Sequence, residues 1–364
     1  MEELNRRDFL GAAALAVAGA ALPGALRAAD GKEPIRAVLM HLGYNMWSEC
    51  LPPTFRGEIE ARRRPDVKLR CQDAVWKRAV DHAAARKLNM VVIDLGEGLV
   101  YPSHPELAIE GSWSVEKLRA ELKRMRAMGL EPIPKLNFSA THDGWFGEYH
   151  RMLSTRPYYQ ACKDLIRDVM EIFDRPRLFH LGWDEEHVNY AKNCNFAVAR
   201  QKDLWWHDML YTVKCVEDLG ARAWIWSDHA WWGDPERFYR LCPRSVVQSN
   251  WYYDNQMAGF DPVENKTGDA TKIKAFLKLE EAGFDQIPTG SNWRSDEHIK
   301  AGRDADYVMK GIVDLGRKVI APERLLGFMT APWVACTENL TKWNTRESDA
   351  LVESIDQLAD AVAS

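Results

Sequence analysis

The architecture turns on RPRLFHLGWDEEH, residues 175–187. Arg177–Gly182 reads as a short buried β-strand that leaves into an acidic loop. Upstream, Leu165, Val169, Ile172 and Phe173 recur at helical spacing. Downstream, Met209, Val213, Val216 and Leu219 do the same before Gly220. A strand between two helices is the repeating unit of a parallel sheet. Working outward from it, the same alternation yields strands over Ala37–Leu42, Met90–Leu95, Glu131–Phe138, Ala221–Ser227, Ser245–Trp251, Phe284–Gly290 and Leu325–Thr330. Further helices carry Val115, Leu118, Leu122 and Met125 between a Ser114 cap and Gly129, and Leu351, Ile355, Leu358 and Val362 near the end of the sequence. Eight strand–helix units close a barrel, so the expectation is a single-domain (β/α)8 TIM barrel over residues 34–364. A doubly wound sheet would need fewer units and a Gly-rich phosphate turn, and no such turn is present.

The chain has 364 residues and a formal net charge of −5. No basic stripe exists outside the N-terminus, which argues against a nucleic-acid partner. The segment NRRDFLGAAALAVAGAALPGALRAAD, from Asn5, places Arg6 and Arg7 before a weakly apolar Ala/Gly-rich stretch. That is a twin-arginine export pattern, so residues 1–29 are expected to be a signal, with the export machinery as a partner and a periplasmic or secreted destination. Nothing in the remaining sequence is long and apolar enough to span a bilayer. The seven cysteines form no C-x-x-C pair, and Cys162 and Cys215 fall inside helical patterns, as buried small hydrophobes do. An exported chain can carry a disulfide, and an odd count leaves one thiol over.

The loop after the central strand carries chemistry. Residues i, i+2 and i+4 of a strand share a face, which puts His180, Gly182 and Asp184 together. Glu185 joins them only if the chain bends. Two carboxylates converging at a strand end can cleave a glycosidic bond, one protonating the leaving oxygen and one stabilising developing positive charge. Of fifteen tryptophans, nine lie at or just after strand ends: Trp47, Trp145, Trp183, Trp226, Trp231, Trp232, Trp251, Trp293 and Trp333. Indoles at one end of a barrel suit the C–H faces of sugar rings, whereas Trp76, Trp205 and Trp206 sit on helices and are expected to fill core.

His-x-Gly-x-Asp-Glu resembles the signature of family 20 glycoside hydrolases, the β-N-acetylhexosaminidases. Tyr252-Tyr253-Asp254 after strand six is similar to that family's Tyr-x-Asp. Trp333 in GFMTAPW, and Trp226 with Asp228 in WIWSDHAW, stand where the family places pocket residues. Strand three departs from the family's Pro-Glu-x-Asp, reading Pro134-Lys135-Leu136-Asn137 with His142 displaced by one residue. Strand one offers His41, Asn45 and Trp47 in place of the usual Asp and Arg. An α/β domain often precedes the family's barrel, and here the first strand follows directly on the export segment.

The resemblance implies a retaining, exo-acting enzyme that removes a terminal β-linked N-acetylhexosamine. Glu185 is then the general acid and base. Asp184 orients the acetamido group that itself attacks the anomeric carbon, Tyr252 holds the acetamido carbonyl, and His180 orients Asp184. Asp254, Trp333, Trp226, Asp228, Trp251, Trp145, His142, Asn137 and Trp47 are the expected substrate-binding residues, and no metal or organic cofactor is required. Three alternatives stay open. Asp184 is itself the nucleophile on a sugar without an acetamido group, the barrel binds sugar without turnover, or His180, Asp184, Glu186, His187, Asp228 and His229 include the ligands of a metal. Against the metal alternative, Glu186 and His187 are expected to begin a solvated loop.

Overall fold

The computed structural model describes residues 33–47, 65–187, 200–232, 234–253, 270–294 and 308–364. The export segment, Asp254, Cys50 and Cys194 lie outside the described residues. Eight parallel strands run in the order β6-β5-β4-β3-β2-β1-β8-β7. They are β1 Ile35–His41, β2 Met90–Asp94, β3 Glu131–Lys135, β4 Leu178–His180, β5 Arg222–Trp226, β6 Val247–Ser249, β7 Thr289–Gly290 and β8 Gly327–Thr330. The ring closes between β6 and β7. There Ile287 N–H donates to Gln248 C=O at 2.9 Å and Thr289 N–H to Asn250 C=O at 2.9 Å. All eight expected strands are present, several shorter than their apolar runs, and the fold is a (β/α)8 barrel.

Helices on the outside bury one stripe each. They include α1 Asp73–Ala85, α2 Val115–Ala127, α3 Arg156–Ile172, α4 Asp203–Glu217, α5 His229–Trp232, α6 Pro235–Leu241, α7 Ala270–Glu281, α8 Val308–Val319 and α9 Glu347–Ala363. On α2 the Ser114 Oγ accepts from Lys117 N–H at 3.2 Å, capping the first turn. Leu118, Leu122 and Met125 face the sheet, and Gly129 at φ +81° ends the segment. Trp76, Trp205 and Trp206 are buried in this outer core, and Cys162 on α3 with them. Among the described residues no helix is long and apolar enough to cross a membrane.

The barrel interior is filled by Ala37, Leu39, Met90, Val92, Ile133, Leu178, Trp224, Val247, Ile287 and Met329. Small Ala37 and large Trp224 together fill the taper. Above them the register aligns His41, Asp94, Lys135 and His180 in one row. Lys135 Nζ donates to Asp94 Oδ2 at 2.5 Å, with both side chains buried. Burial alone would raise the Asp94 carboxyl, but the Lys135 ammonium overrides it and holds the pKa at about 2. Burial pushes His41 and His180 down, the latter far down with Lys135's charge adding to it, so both are neutral at physiological pH. The mouth therefore rests on a compact, internally neutralised floor.

Candidate active site

The ladder of β4 ends at His180, and the face rule ends with it. Gly182, Trp183 and Glu185 take φ of +73°, +69° and +55°, so the chain winds through left-handed turns where the sequence suggested a continued strand. Only a glycine fits at 182. A Cβ there would stand 2.0 Å from Asn137 Oδ1, and positive φ adds strain for any other residue. Asn137 grips the turn it crowds. Its Oδ1 accepts from Trp183 N–H at 3.3 Å and Ser139 N–H at 3.1 Å, and its Nδ2 donates to Asp184 Oδ1 at 2.7 Å. Trp183 itself is thrown outward. Its indole N–H donates to Thr212 Oγ1 at 3.1 Å, and the Arg200 guanidinium lies 4.3 Å above the ring. It packs against helices and is not at the mouth.

The bend splits the acid pair between two environments. Asp184 is buried against Asn137, with side-chain exposure of 7%, while Glu185 is 25% exposed. His142 Nε2 stands 3.4 Å from Glu185 Oε2 and 3.9 Å from Asp184 Oδ2. Asp228, at the end of β5, accepts the Glu185 backbone N–H on Oδ2 at 2.7 Å. Burial and then the charge of Asp184 push the Asp228 carboxyl up to about 7. One ligand atom each from His142, Asp184 and Glu185 lie within 4.8 Å of one another, a spacing that can hold a divalent cation. Of the six ligand types read from the sequence, only Asp184 belongs to this cluster.

Glu186 and His187 do not form a solvated loop. Glu186 is buried and takes a two-pronged salt bridge from Arg200, Nε to Oε1 at 2.7 Å and Nη2 to Oε2 at 2.6 Å. It also accepts Ala140 N–H at 2.9 Å. Arg200 reaches on to Asp208 at 3.2 Å and Phe138 C=O at 2.7 Å. Glu186 therefore bolts the acid-bearing turn to the loop after β3 and to α4. His187 stacks on Trp232 with ring centroids 4.0 Å apart.

His180 is not in contact with Asp184. Its Nδ1 accepts Gly182 N–H at 3.0 Å, and its ring lies against Trp224 and Trp226 at 4.9 and 4.6 Å. It shapes the start of the turn from inside the barrel. Above it, Trp226 lies 5.7 Å from Trp333, and Trp333 lies 6.3 Å from Trp47. Trp47 in turn approaches His142 at 6.2 Å. These three indoles line the mouth beside the acids. Trp145 instead donates its N–H to Asn137 C=O at 3.0 Å and stacks on Phe146 at 4.8 Å. It supports Asn137 from behind.

Strand six reverses the tyrosine reading. Val247, Ser249 and Trp251 point into the barrel, Ser249 Oγ accepting from Trp224 Nε1–H at 2.8 Å. Alternation then turns Tyr253 inward and Tyr252 outward. Tyr253 stacks on Trp251 at 5.0 Å, and its hydroxyl accepts Trp333 Nε1–H at 3.0 Å. Burial pushes its pKa well up, helped by the charges of Asp184, Glu185 and Asp228. Tyr252 is buried in the larger hydrophobic cluster, apart from the barrel interior. Asp254 lies outside the described residues. Sequence reasoning also passed over Glu97, whose buried carboxylate accepts Tyr44 and Asn45 N–H at 2.8 and 3.1 Å and shapes the loop after β1. The signal was available in Gly96-Glu97-Gly98, an acid between two glycines just after a strand.

No protein-family model matches the chain, and no curated protein matches its sequence. Solved structures do match its backbone. A chitobiase from Flavobacterium johnsoniae is 15% identical at a TM-score of 0.52, with 80% of this chain and 48% of that one covered. A β-N-acetylhexosaminidase from Bacteroides fragilis is 14% identical at 0.53, covering 88% and 65%. A mutant β-hexosaminidase from Streptomyces plicatus, in complex with product (GlcNAc), is 13% identical at 0.55, covering 89% and 63%. The shared feature is the fold. This chain spans about half to two thirds of the length of those structures.

Proposed function

We propose that the chain is a retaining exo-β-N-acetylhexosaminidase using substrate assistance. The observation that carries this reading is the splitting of two adjacent carboxylates, one buried and tethered, one open, in a mouth walled by Trp47, Trp226 and Trp333. The likeness to hexosaminidase barrels supports it. Glu185 protonates the glycosidic oxygen and later takes the proton of the incoming water. Asp184, fixed by Asn137, orients the acetamido N–H and balances charge as the acetamido oxygen closes on the anomeric carbon. Tyr253 replaces Tyr252 in this scheme. Its oxygen already accepts from Trp333, which leaves its own proton for the acetamido carbonyl.

Hydrolysis of aryl β-glycosides tests the reading. Activity on N-acetylglucosaminides or N-acetylgalactosaminides with none on glucosides, and tight inhibition by a bicyclic thiazoline, is the expected outcome. Glu185→Gln should lose most activity on poor leaving groups and less on good ones. A glycosyl ester trapped on Asp184 by a 2-fluoro sugar would refute substrate assistance. The His142, Asp184 and Glu185 cluster favours a second, metal-dependent reading, which requires that activity vanish on chelation and return with a divalent cation.

Export through the twin-arginine pathway is part of the proposal, supported by Arg6-Arg7 before the Ala/Gly-rich stretch. Lys at both positions lacks the guanidinium fork and should leave the protein inside the cell. Appearance of that variant in the periplasm would refute it.

A further inference from the structure

Five of the seven cysteines lie among the described residues, and all five are free thiols in this structure. Two of them face each other. Cys71, just before α1, and Cys336, in the segment after β8, are partners in an isolated parallel bridge. Gln72 N–H closes that bridge by donating to Cys336 C=O at 2.8 Å. Laterally paired residues hold their Cβ atoms on the same side, and neighbouring strands lie roughly 4.7–4.9 Å apart. A disulfide spans Cα separations of roughly 4.4–6.8 Å, and the spacing of bridged neighbours falls inside that range. Both side chains are buried, with exposures of 9% and 0%. Cys336 Sγ is turned toward His41 C=O at 3.4 Å. The neighbouring Cys71 thiol, with burial, pushes the Cys336 thiol well up, as expected of two sulfurs in contact.

We propose that Cys71 and Cys336 form a structural disulfide that ties the loop after β1 to the loop after β8. Those loops carry Trp47 and Trp333, and His41 lies beneath both at 6.4 and 5.6 Å. The bond thus pins two walls of the mouth. It forms by exchange with an external disulfide, such as oxidised glutathione or a thiol oxidase. The thiolate of Cys71 attacks one sulfur of that disulfide and expels a thiolate. Cys336 then attacks the mixed disulfide at Cys71 and expels the second. One S–S bond forms and one breaks, the oxidant leaves as two thiols, and the protons of the two cysteines pass to them. Cys71, at 9% exposure against 0% for Cys336, is the sulfur that an external disulfide reaches in the folded chain. Its formation in the cell rests on the export reading, because cytosolic reductants oppose it. Its formation in vitro does not.

The test refolds the full chain in a glutathione redox buffer, blocks free thiols with N-ethylmaleimide, and maps peptides without reduction. The expected result is a cross-linked peptide joining Cys71 to Cys336 that disappears on reduction, and two fewer alkylated cysteines. Melting of the oxidised protein should fall by on the order of 5 °C with dithiothreitol. Cys71→Ser and Cys336→Ser should each melt at the reduced temperature and ignore the reductant. Alkylation of both cysteines in the oxidised native protein, or pairing of either with another cysteine, overturns the proposal. A mapped bond that leaves melting unmoved overturns its structural role. The map uses the unmutated chain, so a serine variant that fails to fold does not remove the test.

Discussion

Replacing Asp228 by Asn should make the protein more stable at alkaline pH and leave it nearly unchanged in acid. The Asp228 carboxyl is buried and beside Asp184, and its pKa rises from 3.8 to about 7. A group raised in the folded state keeps its contribution below the unfolded pKa and loses it as pH climbs through the folded value. The window therefore runs from about pH 4 to pH 7. At ~1.4 kcal/mol per pKa unit, that rise corresponds to on the order of 4 kcal/mol withdrawn from the wild type by pH 8. Asn keeps a carbonyl oxygen for the Glu185 N–H, which Asp228 now accepts at 2.7 Å, and carries no charge to be desolvated. Urea unfolding of both proteins at pH 4.5, 6 and 8 provides the measurement, with m unchanged between them. The curves should meet near pH 4.5 and separate by several kcal/mol at pH 8 in favour of the variant. Parallel curves, or a variant weaker at pH 8, would refute the argument that burial and Asp184 hold this carboxyl protonated. Asp184→Asn supplies the control, since removing the neighbouring charge should move the wild-type midpoint toward acid.

Other outcomes follow from the same geometry. Gly182→Ala should cost roughly 2–3 kcal/mol in unfolding free energy, because its Cβ would meet Asn137 Oδ1 at 2.0 Å on a left-handed backbone. Its surviving activity should fall further than stability explains, since Asn137 can no longer hold Asp184. Tyr253→Phe should slow turnover of acetamido sugars about tenfold or more, while Tyr252→Phe leaves kcat near wild type; the reverse ranking would return the reading to Tyr252. Zinc should inhibit by bridging His142, Asp184 and Glu185, with relief by EDTA and at least about tenfold weaker inhibition in His142→Ala. Equal zinc sensitivity in that variant would place the ion elsewhere.

The barrel was legible because it is written in periodicity. The spacing of Leu118, Leu122 and Met125 after Ser114, and the apolar runs at β1, β2 and β3, needed no knowledge of distant contacts. The acid pair was legible as a motif. The facing of individual side chains was not, for two physical reasons. In a barrel both faces of a strand are buried, so alternation of polar and apolar residues does not separate inside from outside. On β6 and just past it, the inward Val247 and Ser249 and the outward Gln248 and Asn250 are equally buried. Tyr252 and Tyr253 could be told apart only by the Trp224 and Trp333 partners. The second reason is that parity holds only on the ladder. Past His180 three positive-φ residues send Trp183 outward and Glu186 into a clamp whose other half, Arg200, lies beyond any local spacing rule.

That same turn explains how two neighbours in sequence acquire different chemical work. On a continued strand Asp184 and Glu185 would point to opposite faces, one in the mouth and one among the helices. The left-handed residue at Glu185 brings its side chain back to the mouth beside His142, while Asn137 keeps Asp184 down. Around the pair the charges are uneven. Below, Lys135 and Asp94 cancel and the two histidines are neutral. At the mouth, Asp184, Glu185 and Asp228 stand close together with His142 as the nearby base. Three carboxyls in so small a volume cannot all ionise cheaply, and it is the most buried, Asp228, that holds a proton up to about pH 7. The site therefore gains negative charge as pH rises through neutrality. A cationic or oxocarbenium-like species at the mouth is stabilised more by that added charge than a neutral sugar is. Under the hexosaminidase reading, an iminosugar cation should bind more tightly at pH 8 than at pH 6, and Asp228→Asn should flatten that dependence while leaving the affinity for a neutral product nearly unchanged.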